Sequence, residues 1–419
     1  MKDARRLGLT SAVCLVVANM IGAGVFTTSG LLIADLGSPT WVILAWLLGG
    51  IVAMLGALCY GSLGREIPES GGEYLFLRET LHPAAGYVAG WVSMLACFSA
   101  PIAMAAFGFG EYLSPWVPEV PIKASGTALI VVLAALHSAS VERGAWVQNA
   151  AVLAKLVLLA IFVAYSGPLI APQSLAPETP LALGALAASL VWISFSYSGW
   201  NAAVYIASEV VDPRRNLVRS LCLATGIVTV VYVVVNAVFV LGAPAEAIAG
   251  RVAVAQIVAE RIGGVELAHG VTLIVLLALA TSVSAMLMAG PRVYARMAAD
   301  GVLPAALMGS SGPPRTAVAL QMALALFFLW TNTFAALLGY IGFTLSLSTA
   351  LTVVGLVRLK RRTPELAVIG WPFVPLAYLA FVCWALVFSL ERLGGGAVFG
   401  LATLLAGAGA WWVQEGRRR

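Results

Sequence analysis

The chain reads as an all-α membrane protein of about 12 transmembrane helices in a 5+5 inverted repeat, with helices 1 and 6 broken. Three observations predict this. Of 419 residues, 61% are hydrophobic and 10% charged, and mean hydropathy is +0.96, whereas a soluble domain carries roughly 25% charged residues. Twelve apolar runs approach the roughly 20 residues that cross a bilayer: 9–33, 40–64, 84–110, 122–141, 146–167, 181–208, 218–241, 266–290, 316–332, 334–357, 372–392 and 396–413. Two of these runs are interrupted by glycine-rich breaks, Gly22-Ala23-Gly24-Val25-Phe26 and Ser196-Tyr197-Ser198-Gly199-Trp200-Asn201.

Basic residues fix the direction of the runs, because lysine and arginine collect on the cytoplasmic side. With the N-terminus inside, 19 of the 24 Lys and Arg residues fall in inside segments. Outside lie Lys123, Arg251, Arg261 and Arg392, and Lys155 lies within a run. Both termini are therefore expected in the cytoplasm, in a multi-pass protein of the plasma (inner) membrane. The same distribution accounts for the basic pI, so no nucleic-acid partner is implied. The first run follows Met1-Lys2-Asp3-Ala4-Arg5-Arg6 but exceeds a signal core and lacks a small-x-small cleavage site, so it is expected to remain as a span.

No Ser/Gly linker divides the chain, which predicts one transmembrane domain over 1–419. The first break lies about 13 residues into a run going outward, and the second about 15 residues into a run going inward. Equivalent depth with opposite direction is the signature of inverted repeats crossing near the midplane. Repeat one is then about 9–167, repeat two about 181–357, and the helices at about 372–413 are peripheral. Long loops recur in matching places, 65–83 inside and 243–266 outside, with a third at 292–315. The outside one is expected to form a surface helix over the site.

Unwound backbone at membrane depth is tolerated only where it lines a cavity. At the first break, the half-helix restarting near Gly24 presents unpaired N–H groups and a positive dipole end, suited to a carboxylate. The half-helices ending near Met20 and Ser198 offer unpaired carbonyls, suited to an ammonium. Together they predict a zwitterion site, and Gly24→Leu is expected to abolish binding while leaving folding largely intact. The rival reading, glycines that merely allow close helix packing, is weakened by the matched second break. Phe195, Tyr197 and Trp200 are candidates for an aromatic gate or for packing, and Asn201 is a polar group at depth that must find partners.

Lys155 stands about nine residues from either end of its run, too deep to snorkel fully. Its ammonium is expected to reach carbonyls freed by the first break, joined by hydroxyls of Thr281, Ser282 and Ser284. Cys14, Cys59, Cys97, Cys222 and Cys383 show no paired spacing, which predicts free buried thiols. His82, His137 and His269 lie at run ends, and neither HExxH nor GxSxG occurs, so no metal site, cofactor or enzymatic activity is expected.

Four segments carry a family resemblance: 19–26 (NMIGAGVF), 195–201 (FSYSGWN), 208–217 (SEVVDPRRNL) and 292–304 (RVYARMAADGVLP). In spacing and order the chain resembles the amino acid–polyamine–organocation superfamily, in particular bacterial permeases similar to L-type amino acid transporters. The resemblance implies that the Ala23 and Gly24 amides bind a substrate carboxylate, with Ile21 and Gly22 in the same turn. It places the carbonyls of Met20, Phe195 and Ser198 around the amine, with Gly199, Trp200 and Asn201 completing that side. It makes Phe195 the gating aromatic, and it sets Lys155 where sodium-coupled relatives hold sodium. Ala23 departs from the serine common in that motif and lacks its hydroxyl. The implied function is a secondary active transporter of neutral L-amino acids, sodium-independent, working by alternating access with exchange or proton coupling. Its partners would be a small amino acid and membrane lipid. Carriers of cationic amino acids or polyamines are the alternative, disfavoured by the lack of any carboxylate within the runs near the breaks. A non-transporting sensor is a further alternative, without an appended signalling domain to support it.

Overall fold

The computed structural model describes all residues except 1–6, 23, 140, 171–179, 252, 310–313, 393 and 419. Helices dominate the described residues. Seven helices are long and apolar enough to cross a membrane, or eight if the bent pair at the start counts as one span, and Leu183–Ser196, Arg315–Thr331 and Phe373–Phe388 are shorter apolar helices.

The chain begins with that bent pair, α1 (Leu9–Met20) and α2 (Gly24–Leu36), which meet at 41°. Next come α3 (Pro39–Glu66) and the short α4 (Gly72–Thr80), then α5 (Pro83–Val92) and α6 (Ala100–Leu113). A π-helical stretch, Ser93–Ser99, joins α5 and α6 into one span. Pro101, which has no N–H to donate, follows this stretch. The Ser99 hydroxyl bonds to the Met94 carbonyl, five residues back, at 2.6 Å. Helices α7 (Ile122–Ala139) and α8 (Val141–Ser166) follow.

Helix α9 (Leu183–Ser196) is next, interrupted at 197–201 and continued as a 3₁₀ helix, Ala202–Glu209, rather than an α-helix. Then follow α10 (Pro213–Leu241), α11 (Ala245–Ile248) and α12 (Val254–Ala299). Gly263 and Gly264 leave helical geometry, so residues before them form a separate arm of α12. This arm and α11 lie against α2, where the Gly250 amide donates to the Gly30 carbonyl at 2.7 Å. The segment 243–266 is thus partly helical. Helices α13 (Arg315–Thr331), α14 (Phe334–Arg362), α15 (Phe373–Arg392) and α16 (Gly394–Arg418) finish the chain.

The two breaks are pressed together, and this sets their glycines. A Cβ on Gly24 would stand 2.4 Å from the Ser196 hydroxyl and 2.8 Å from the Ser196 Cα. Gly199, at φ +98°, would place a Cβ 2.9 Å from the Asn19 carbonyl carbon. Each glycine therefore lies on the half-helix end of the other span. Only a residue without a side chain permits that approach.

The 3₁₀ segment Ala202–Glu209 is tied to three neighbours. Leu7 pairs with its end as a short bridge, donating to the Glu209 carbonyl at 3.1 Å and accepting from the Val211 amide at 2.9 Å. Arg292 of α12 pairs with Glu209 at 2.8 Å. Ser70, ahead of α4, meets the Ser208 hydroxyl at 2.6 Å. Nearby, Asp300 accepts from Tyr74 at 2.8 Å and Arg296 at 3.2 Å and also pairs with Arg78, while Arg296 reaches Glu69 at 2.6 Å. Burial, with the hydrogen bond to Asp300, pushes the Tyr74 phenol up to about 12. These contacts give physical content to two of the recognisable segments, 208–217 and 292–304, which are tied together at one end of the protein.

Candidate functional site

A cavity of about 110 Å³ lies where the two broken spans cross. Of the residues picked out by sequence, Met20, Gly22, Gly24, Phe195, Tyr197, Ser198, Gly199, Trp200, Asn201 and Ser282 line it. Ile21 does not line it: its side chain is buried and its carbonyl faces Lys155. Ala23 lies outside the described residues. The opposite wall comes from the π-widened span, through Cys97, Phe98 and Met104, and from Thr349 and Tyr378. No charged side chain is among the described residues that line the cavity.

The termini of the half-helices provide the polar groups. The first turn of α2 starts at Gly24 with amides that have no partner inside the helix. Against them stand carbonyl ends of α1 and α9. One hydroxyl serves both of these ends: Tyr232 of α10 directs its hydrogen between the Met20 and Ser196 carbonyls, the latter at 2.9 Å. The Gly22 amide is already used, donating to Met20 at 2.9 Å. Thr28 and Ser196 share a hydroxyl contact at 3.0 Å across the two spans.

Phe195 is half-buried at the cavity wall, as a moving side chain requires. Trp200 packs edge-on against Tyr60, with ring centroids 4.7 Å apart, and faces Tyr378 at 6.3 Å. Tyr197 also lines the cavity, but its hydroxyl is engaged, donating to the Trp46 carbonyl at 2.9 Å, and its ring leans on Tyr232. Of the three aromatics, only Phe195 is free of such ring partners among the described residues.

Lys155 is fully buried behind Ile21. Its Nζ donates to the Ile21 carbonyl at 3.3 Å and to the Thr281 hydroxyl at 2.9 Å. The ammonium thereby joins broken span one to α8 and α12. Ser282 faces Gly22 from α12, with its hydroxyl 3.2 Å from where a Gly22 Cβ would stand. Ser284 is elsewhere: its hydroxyl meets His137 Nε2 at 2.7 Å. Three residues along a helix from Thr281 is about 60° round the axis, and that rotation turns Ser284 toward α7.

Two residues with no mark in the sequence reading prove central. Tyr232 looks like one aromatic in an apolar run, yet a buried tyrosine hydroxyl usually finds a partner. Glu73 sits in the loop 65–83, which composition assigned to the cytoplasm, but α4 folds back beneath span six and leaves it 1% exposed. Its carboxylate accepts from Tyr60 at 2.9 Å, from the Asn201 amide at 2.6 Å and from Tyr205. A carboxylate thus does stand close to the second break, contrary to the reading from the spans alone. Asn201 and Tyr205 screen it from the cavity.

The model for amino acid permeases matches residues 7–404. The chain is 29% identical to the large neutral amino acids transporter small subunit 2 of Homo sapiens over 437 residues, covering 98% of this chain and 81% of that protein. It is 30% identical to the Asc-type amino acid transporter 1 of Mus musculus over 409 residues, 92% of this chain and 76% of that one. Similarity to the b(0,+)-type amino acid transporter 1 of Mus musculus, 31% identical over 255 residues, covers 58% of this chain and 52% of that one.

Proposed function

Because the chain belongs to the amino acid permease family, we propose that it is a secondary active transporter of neutral L-amino acids, sodium-independent, working by alternating access with exchange or proton coupling. The observation that carries this is the uncharged cavity between the N-terminus of α2 and the carbonyl ends of α1 and α9. A zwitterion brings both charges, and helix ends of opposite polarity meet them without a charged side chain. A cationic substrate would leave an extra charge in a lining with no acid.

Lys155 supports sodium independence. A fixed ammonium on the Ile21 carbonyl and the Thr281 hydroxyl supplies a positive charge among oxygen ligands of the kind sodium prefers. The reciprocal seating of Gly24 and Gly199 supports a two-fold relation between halves, and the lengthwise pairing of α3 with α10 joins spans two and seven, which correspond under that relation. We read the whole as twelve spans in the plasma membrane, with both termini cytoplasmic. Transport in sodium-free proteoliposomes of tritiated L-alanine or L-leucine, with competition by the L-leucine methyl ester and by L-arginine, tests the proposal. Competition is expected from neutral zwitterions alone. An ester that competes as well as leucine would refute the carboxylate site.

A further inference from the structure

The inner half of span six is fastened from below by one acid. Glu73 Oε1 accepts from Tyr60 of α3 at 2.9 Å and from Asn201 Nδ2 at 2.6 Å, while Oε2 accepts from the Tyr205 hydroxyl. Asn201 Nδ2 also lies 3.1 Å from the Tyr205 oxygen, which closes the cluster. No Lys, Arg or His pairs with Glu73 among the described residues, so its acceptor capacity goes to three neutral donors.

The backbone is shaped for this seat. Gly72 has φ +56°, and a Cβ there would stand 2.1 Å from the Tyr205 ring. The ring therefore rests on bare backbone immediately before the acid. A buried carboxylate is costly unless its hydrogen bonds are made, and apolar packing would hold two helices together without that cost. Two of its donors, Asn201 and Tyr205, form the cytoplasmic side of the cavity lining. Asn201 also follows Gly199, the positive-φ residue at which span six changes direction.

We propose that Glu73 is a positioning residue of the transport cycle, a hook that holds Asn201 and Tyr205 against span two and must release them before the cavity opens to the cytoplasm. This rests on the transport reading above. Glu73 does not touch substrate; it acts through the two residues that line the cavity floor.

Accessibility of Cys97, which lines the cavity, tests the hook independently of uptake. In protein with Cys14, Cys59, Cys222 and Cys383 changed to alanine, a membrane-impermeant maleimide is applied to inside-out vesicles and, separately, to intact cells. Glu73→Gln turns one acceptor into a donor, and Tyr205→Phe removes one donor while keeping the ring. Both are expected to raise Cys97 labelling from the cytoplasmic side about tenfold, the population shift that follows loss of one hydrogen bond to a charged group. Labelling from outside should fall. If Glu73→Gln does not fold, Tyr205→Phe carries the test alone. Unchanged sidedness of labelling in folded variants would make the cluster a static support and overturn the proposal. Absence of any neutral amino acid uptake by the wild-type protein would instead overturn the transport reading.

Discussion

Gly24→Ala is the sharpest probe of the crossing. The added carbon would stand 2.4 Å from the Ser196 hydroxyl, and rotation of that hydroxyl would not relieve it, because the Ser196 Cα is at 2.8 Å. The half-helices α2 and α9 must separate by several tenths of an ångström. Overpacking of this kind costs about 1–3 kcal/mol. The same displacement moves the α2 amides off the carboxylate position, so affinity is expected to fall as well as stability. Gly22→Ala is the internal control: its Cβ would lie 3.2 Å from the Ser282 hydroxyl and 3.7 Å from its Cβ, and the hydroxyl can turn away. Leucine at position 24, the replacement that sequence alone suggests, would disturb folding as well as binding. The assay is thermal unfolding of purified protein with and without L-leucine, since a bound ligand stabilises by mass action, together with equilibrium binding. Gly24→Ala protein with wild-type melting temperature and affinity would refute the close contact of the two breaks.

Three further outcomes are expected. Wild-type uptake should proceed without sodium, and Lys155→Ala should lower turnover about tenfold or more, the scale of two lost bonds from a charged donor; Lys155→Arg should not restore it, because a planar guanidinium does not fit the place of a compact ammonium. A sodium requirement, or normal turnover in Lys155→Ala, would count against the lysine. Phe195→Ala should reduce transport more than binding, since closure commits the substrate, and equal losses would make Phe195 a packing residue. Tyr232→Phe should leave the Met20 and Ser196 carbonyls without their shared donor and destabilise by about 1–3 kcal/mol, measured as a lower melting temperature; no change would show that water or another group replaces the hydroxyl.

The sequence revealed what depends on apolar length and on glycine. The runs, the two breaks and most of the cavity lining around them were legible because a break in a hydrophobic run has few explanations. The partners of Lys155 were legible in part. Thr281 was in reach, whereas Ser284 required knowing which way α12 is turned. Glu73 and Tyr232 escaped because their roles depend on tertiary placement. A glutamate in a charged loop looks solvated until α4 is seen to fold beneath span six, and a tyrosine in an apolar run does not say which carbonyl it faces. The 3₁₀ form of span six beyond Asn201 left no mark either, since its composition, Ala202 to Glu209, is that of an ordinary helix.

The backbone bridge at Leu7 couples the beginning of the chain to the far end of span six. Two peptide hydrogen bonds hold it, so the linkage does not depend on the side chain at position 7. A fluorophore fused immediately ahead of Leu7 is therefore geared to both broken spans at once. Its distance to a second dye at the Glu66 end of α3 would report their joint displacement in real time, without any label in the cavity.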